Sequence, residues 1–319
     1  MAVITKAEWS KPSTILFATE IPANEKAMNF AVAQAREFGA HLILFHAYDT
    51  LVVSASEASG VRYYDYEAAA RIEITHLEPL AQKVRDQGIS CEIVVRPGLA
   101  ADQILSYLRE RPIDRVVMGT HAPGPLGKLL VGSVAEAVLR SAPVPVMTIG
   151  PDAVDGAFRR YETRTILCAL RMIGTSPAVA LFAAEVAKQH KATLILQHVV
   201  EPQERAHAEE IRSVEQGEAE MLQLVPEELR NEVKVEPIIV PGDATEELLY
   251  QSRAQQADLI ILGAHAASAL AAITRQGVVY KVLAHAHCPV LTLSPVVLAK
   301  CGVAVEKQVP AEVFLAGVF

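Results

Sequence analysis

Gly119, Gly132 and Ser133 are the residues of this sequence whose types and spacing most directly suggest chemistry. Gly119 ends an apolar run, Val116–Met118, of the kind that forms a buried parallel strand. A turn-rich segment follows, with Pro123, Gly124, Pro125 and Gly127. Then comes Gly132-Ser133, after which Val134, Val138 and Leu139 recur at helical spacing. Strand, glycine loop and helix start together make a cradle for phosphate. Glycine lets backbone approach an anion, and the helix start offers unpaired N–H groups and a favourable dipole.

The spacing is not that of the common nucleotide fingerprints: there is no G-x-x-x-x-G-K-[ST], and no G-x-G-x-x-G opening a helix. It resembles the ATP-binding loop of the universal stress protein family, G-x2-G-x9-G-[ST]. Gly119 matches the first glycine, Gly132 the third and Ser133 the hydroxyl, and the nine-residue spacer Pro123–Val131 has the right length. Ala122 stands where the second glycine belongs, at a position the family uses for phosphate contact. Pro123 and Pro125 remove two backbone donors from the loop.

The resemblance implies a site around these residues. In ATP-binding members the first strand ends in an Asp near the adenosine; Glu20 holds that place here, with the same charge and one more methylene. Ala47 matches a position whose backbone pairs with adenine, and Thr19 and Met118 would line the base pocket. Lys128 could neutralise a phosphate, or be a solvated surface lysine. Ala18, Thr120 and Val134 flank these positions and complete the candidate set. Glu20 also reads as a solvated loop acid, and Ser133 as an ordinary helix N-cap. The implied cofactor is ATP with its accompanying Mg2+.

The elements that must position these residues alternate strand and helix. Thr14–Glu20 is a short strand ending in an acid, and Asn24–Phe38 a helix closed by Gly39. His41–His46, Cys91–Val95, Asp114–Met118 and Val144–Ile149 are further strands; Asp65–Gln87 and Ala100–Arg109 are helices. The pattern predicts a parallel sheet with helices on both faces.

It then repeats. TILCAL (Thr165–Leu170) echoes TILFAT, TLILQH (Thr193–His198) echoes HLILFH, Pro241-Gly242 echoes Pro97-Gly98, and DLIILG (Asp258–Gly263) echoes DRVVMG. Cys288–Leu293 echoes Val144–Ile149. His46 and His198 are offset by 152 residues, Gly119 and Gly263 by 144, so the second copy is shorter in its middle. Self-similarity at this period predicts a duplicated domain, with Gly150–Thr163 as linker. The expected division is domain 1 over 1–150, domain 2 over 151–294 and an apolar tail over 295–319, which would pack back onto the chain or a partner.

The same order of elements resembles two fused universal stress protein domains, from about Lys11 to Ser294. That implies two tandem Rossmann-like domains of the adenine nucleotide alpha hydrolase-like kind. Each would be a five-stranded parallel sheet in order 3-2-1-4-5, with ligand at the switch point between the first and fourth strands. Family members often dimerise through their fifth strands. A tandem chain could make that contact internally as a pseudo-dimer, pairing Val144–Ile149 with Cys288–Leu293; a homodimer of tandem chains stays open.

The second half has lost the site's features. Arg171 replaces Glu20, Ala266 repeats the alanine departure, and Gln276-Gly277 replaces Gly132-Ser133. It is read as a structural partner, or as a binder of another anion through Arg171 and Arg275. His46 and His198 sit at equivalent strand ends, as do His121 and His265, which favours a shared structural role. His285, His287 and Cys288 cluster without the spacing of an ordinary zinc site.

Composition bounds the partners. The 319 residues suit two domains, and 51% hydrophobic content supplies cores. A net charge of −8 and a pI near 5.7 argue against a nucleic-acid binder. Cys91, Cys168, Cys288 and Cys301 form no C-x-x-C pair and read as buried, reduced thiols. The sequence has no signal core and no membrane-length apolar run, so a soluble cytoplasmic protein is expected. Three functions compete. The leading one is non-catalytic ATP binding in the first half, in a stress or regulatory role. The second is a scaffold without ATP. The third, an enzyme, is disfavoured as the main role, with slow ATP hydrolysis left open: Ala18–Glu25 carries no S-G-G-x-D-S loop, there is no H-I-G-H motif, and no catalytic triad or paired carboxylates stand out.

Overall fold

The structure, a computed structural model, describes residues 10–48, 66–123, 129–154, 162–171, 176–200, 214–263 and 277–300. The strands of the first half are β1 (Thr14–Ala18), β2 (His41–Tyr48), β3 (Cys91–Pro97), β4 (Arg115–Gly119), β5 (His121–Pro123), β6 (Leu129–Val131) and β7 (Val146–Ile149). Its helices are α1 (Glu25–Phe38), α2 (Tyr66–Arg85), α3 (Ala100–Glu110) and α4 (Ser133–Ser141). The second half holds β8 (Thr165–Leu170), α5 (Ser176–His190), β9 (Thr193–Val200), α6 (Val214–Gln223), α7 (Glu227–Arg230), β10 (Val235–Pro241) and α8 (Ala244–Ala254). It continues with β11 (Leu259–Gly263), α9 (Val278–His285), β12 (Val290–Leu293) and α10 (Pro295–Lys300).

Local chemistry sets the element ends. Asn24 caps α1, its Oδ1 accepting from Ala27 N at 3.0 Å. Gly39 closes the helix in the left-handed conformation at φ 64°, donating to the Ala35 and Arg36 carbonyls. At the amino ends of the sheet, Asp114 Oδ2 accepts from Ser13 N and Thr14 N, and Asp258 Oδ2 from Arg164 N and Thr165 N. The repeated aspartate therefore staples the fourth strand of each half to the first.

Ten strands form one sheet in the order β10-β9-β8-β11-β12-β7-β4-β1-β2-β3. All pairs are parallel except the central one, where β12 meets β7 antiparallel: Val290 opposite Thr148, Leu291 opposite Met147, Thr292 opposite Val146. The Thr148 hydroxyl donates to the Val290 carbonyl across this seam at 3.1 Å. The apolar layers on the two faces each run through both halves. One joins Ile15, Phe17 and Met147 to Ile166, Ile261 and Leu293. The other joins Leu16, Val116 and Val138 to Leu167, Val282 and Val290. The first layer includes Val297 and Leu298 of α10, so the start of the tail is packed; residues 301–319, Cys301 among them, lie outside the described residues.

Polar contacts also cross the seam. His190 Nδ1 lies 2.9 Å from Glu37 Oε1, and its ring meets Phe38 edge-on. Arg115 is fully buried at the start of β4, hydrogen-bonded to Gln34, with its guanidinium 5.6 Å from the Phe38 ring centroid. Burial pushes that guanidinium down to about 10, against the pull of Glu37 and Asp114.

Two expectations need correction here. The segment between Gly119 and Gly132 is not simply a turn-rich loop: β5 and β6 pair as an antiparallel hairpin, His121 opposite Val131 and Pro123 opposite Leu129. Cys168 and Cys288 are buried and their thiols pushed up, but Cys91 is only half-buried, its thiol raised to about 11.

Candidate functional site

Strands β1 and β4 are neighbours, and β1 and β2 are neighbours on the other side, so the chain direction of the connections reverses at β1. A crevice opens at the carboxyl ends of these strands. β1 leaves the ladder first: its last pairings are Ala18 with Phe45 on β2 and with Met118 on β4. Thr19 N still donates to the Phe45 carbonyl at 2.9 Å. The peptide groups of alternate strand residues point to the same edge. The N–H and C=O of Ala47 therefore face the same side as those of Phe45, where β1 has already ended. On the other edge, Tyr48 O accepts from Gly98 N.

The floor of the crevice is fixed by His46, whose Nδ1 donates to the Thr19 carbonyl at 2.9 Å. His198 makes the same bond to the Leu170 carbonyl at 3.1 Å, which supports the shared structural role of these histidines. The first half adds a charge: Glu73 of α2 lies 3.9 Å from His46 Nε2 and 3.4 Å from His76 Nδ1. Glu20 is exposed just beyond β1, while Ala18 and Thr19 are half-buried and Met118 is buried.

Gly119 has a packing reason of its own. A Cβ there would lie 3.0 Å from Nδ2 of Asn24, the N-cap of α1. Gly263 is crowded likewise, by Val179 of α5 at 2.7 Å. Both halves thus use glycine to admit their first helix close to the fourth strand. Thr120 is buried, its N–H donating to the Ile149 carbonyl at 3.2 Å and its hydroxyl lying 3.5 Å from the same oxygen. That hydroxyl is turned into the sheet.

The helix start does not match the alternative reading of Ser133 as an ordinary N-cap. Gly132, not Ser133, occupies the N-cap of α4, with φ −63° and ψ 153° and no side-chain cap bond. Ser133 is the first helical residue and is exposed; Val134 is half-buried. The Gly132 carbonyl accepts from Glu136 N at 2.9 Å, and Gly132 N donates to the Thr120 carbonyl, which holds the helix start beside the end of β4. The first amides of α4 have no acceptor within the helix. They fit an anion, and the exposed Ser133 hydroxyl adds a donor. Ala122 and Pro123 lie in β5; Pro125 and Lys128 fall outside the described residues.

In the second half, Gly277 is the N-cap of α9, with similar dihedrals (φ −65°, ψ 150°) and no side-chain cap bond. Counted back from the matching C-caps Ala142 and Ala286, Gly277 stands where Ser133 does, so α9 starts one residue late. Its first helical residue is Val278, and the hydroxyl is lost. Arg171 is exposed after β8; Ala266, His265, Thr274, Arg275 and Gln276 lie outside the described residues. Among the described residues no group of three or more His, Cys, Asp or Glu is arranged to hold a metal. None of the described helices is long and apolar enough to cross a membrane.

Sequence reasoning placed Asn24 at the start of the helix but missed its role, which is both to cap α1 and to crowd Gly119. The signal was present: an Asn directly before an apolar-periodic run is an N-cap pattern.

The family model described as the universal stress protein family matches residues 12–150 and again 162–294. A universal stress protein of Bacillus subtilis is 26% identical over 131 residues, covering 39% of this chain and 88% of the relative. One from Thermus aquaticus is 30% identical over 131 residues, with the same coverage of 39% and 88%. Among solved structures, a universal stress protein from Archaeoglobus fulgidus superposes with a TM-score of 0.70 at 17% identity, over 90% of this chain and 98% of its own.

Proposed function

Because the chain belongs to the universal stress protein family, with two tandem copies of its domain, we propose that it is a non-catalytic adenine-nucleotide-binding protein of stress response or regulation. In this reading it has one competent site, in the first half. One observation carries the reading: the uncapped start of α4 at Gly132 and the open peptide edge at Ala47 both lie at the carboxyl ends beside the switch point. In this reading the Ala47 peptide takes the adenine edge, with Ala18, Thr19 and Met118 lining the base and Glu20 reaching the ribose. Gly119, Gly132, Ser133 and Val134 meet the phosphates, with Thr120 and Ala122 behind them and Lys128 supplying charge. Bound ATP would bring Mg2+ as its counter-ion. The helix start offers charge-assisted hydrogen bonds that offset the desolvation of phosphate.

The proposed division is 1–150, 151–294 and a tail from 295, in a cytoplasmic protein. The antiparallel β7–β12 seam supports reading the two halves as an internal pseudo-dimer. A scaffold role without ATP is favoured by Ala122, by the two prolines of the loop and by the inward Thr120 hydroxyl. The deciding experiment denatures protein purified from cells, identifies any released nucleotide, and titrates ATP into the emptied protein. Release of adenine nucleotide, or saturable binding, supports the first reading. No binding at millimolar ATP replaces it with the second.

A further inference from the structure

The helix that would hold the phosphates is anchored from the opposite half. At the end of α4, the Ala142 carbonyl is fully buried and accepts from the Ser294 hydroxyl at 2.6 Å. Ser294 itself is fully buried, and its oxygen accepts from Val297 N at 3.2 Å, tying the start of α10 to the same point. Lys300 Nζ donates to the adjacent Pro143 carbonyl at 3.1 Å. In the last turn of the helix, Arg140 is hydrogen-bonded to Tyr280 of α9. That same helix packs against β6, the strand leading into Gly132. Val131, Ala135 and Val138 share one apolar cluster with Val282 and Leu283.

The arrangement is one-sided. The residue after β7, at the place matching Ser294, is Gly150, and a Cβ there would lie 2.5 Å from the Leu283 carbonyl of α9. No hydroxyl can fit. The carbonyl at the end of α9 is held instead from its own half, through Arg253 donating to the His285 carbonyl at 3.2 Å, while the His285 ring lies 3.4 Å from Asp152 in the segment after β7. Among the described helices, only α4, the helix that keeps the serine, has its terminal carbonyl secured across the seam by a buried side chain.

We propose that the second half serves as the positioning element of the first half's anion site, with Ser294 as its principal positioning residue and Tyr280 and Lys300 as supports. The proposal rests on the nucleotide-binding reading above. The physical route is short. The last carbonyls of a helix have no partner within it, and a buried carbonyl left bare is costly. Removing the Ser294 hydroxyl should let α4 fray and shift, and its start at Gly132 moves with it.

The test uses the full chain with Ser294→Ala, and Thr292→Val as the matched control. The Thr292 hydroxyl is buried two residues upstream and has no hydrogen-bond partner among the described residues. Amide hydrogen exchange is followed over 133–142 and, for reference, over α3, without ligand; ATP affinity is measured at a temperature where all variants are folded. Ser294→Ala should speed exchange in α4 relative to α3, and weaken ATP binding, each by about 3–10-fold. Thr292→Val should change neither. Unchanged α4 exchange in Ser294→Ala overturns the proposal. So does unchanged affinity in a protein whose binding Gly132→Val abolishes. If the wild type binds no ATP, the nucleotide reading fails, and the exchange ratio alone decides whether the second half positions α4.

Discussion

The two halves share a sheet, a strand order and a turn vocabulary, yet differ where chemistry would occur. The first half ends β1 at Ala18 with the acid Glu20 beyond it; the second carries β8 on to Leu170, followed by Arg171. The first opens α4 with glycine then serine, the second opens α9 with glycine then valine. Helix α8 is capped at its start by Asp243, which accepts from Thr245 N and Glu246 N, whereas α3 has the exposed Leu99 as its N-cap and no side-chain cap bond. The second half keeps what holds the fold and, on the reading proposed above, lacks the serine that would meet an anion at the helix start.

The largest effect expected from this comparison is on ATP affinity. Gly132→Val is allowed by its backbone dihedrals, so the fold should survive. It should nonetheless weaken binding more than about 30-fold by blocking approach to the helix start. Gly277→Val, with nothing nearer than Tyr280 at 3.8 Å, should bind ATP like the wild type. Equal losses in calorimetric titration would put the site in the wrong half.

A second effect concerns stability. The counterparts of Arg115 and Gln34 are Leu259, likewise the first residue of its strand, and Val186, likewise four residues before the end of its helix. Copying the second half into the first, Arg115→Leu with Gln34→Val, removes a buried charge and its partner together. The double variant should gain about 1–3 kcal/mol in denaturant unfolding at pH 7. Because burial depresses the folded guanidinium to about 10, its cost is fully present below that pH. The cost lessens as pH rises from there towards the unfolded value, so the gap between the proteins should narrow above pH 10. A double variant less stable than the wild type would show that the polar pair contributes net stability.

Ser133→Ala comes next. It removes one hydroxyl donor, worth about 1–2 kcal/mol or about 5–30-fold in ATP affinity. Unchanged affinity would assign phosphate binding to the backbone alone.

The smallest effect is at the edge strand. Arg96 pairs with Glu110 and lies over the Tyr107 ring at 4.7 Å; Val240 and Ala254 take these places in the second half. The Arg96 hydrogen bond, then that of Ser106, hold the Glu110 carboxyl down at about 2. Any stability from the pair is present above the ordinary carboxylate range and lost as pH falls through about 2. Glu110→Gln should therefore lower the melting temperature slightly at pH 6, with the difference shrinking as pH falls and vanishing below about pH 2. A difference that persists in acid would refute the assignment.

Much of this was legible in the sequence because the apolar runs that make parallel strands are continuous, and Pro-Gly and terminal glycines punctuate them. TILFAT and TILCAL, or DRVVMG and DLIILG, announce the repeat without any structure. The β5–β6 hairpin was not legible: strands of three residues, one containing Pro123, carry no usable alternation. The sequence left Ser133 open between phosphate donor and N-cap because serine is a strong capping residue; only backbone dihedrals show that Gly132 is the cap and Ser133 lies inside the helix. The bond from Ser294 to Ala142 joins residues 152 apart in sequence. No local pattern encodes such a contact.

The seam between β7 and β12 has a consequence for how this chain can vary. When two identical subunits meet about a two-fold axis, each interface residue is present twice, and any substitution is made twice. A buried arginine near such an axis would bring a second arginine with it, doubling both the desolvation cost and the repulsion. Joined in one chain, the halves are released from that arithmetic. Arg115 has Leu259 as its counterpart, and Glu37 meets His190 across the seam without a second copy of the same pair. Covalent linkage thus turns a self-complementary surface into one with two independently selectable sides.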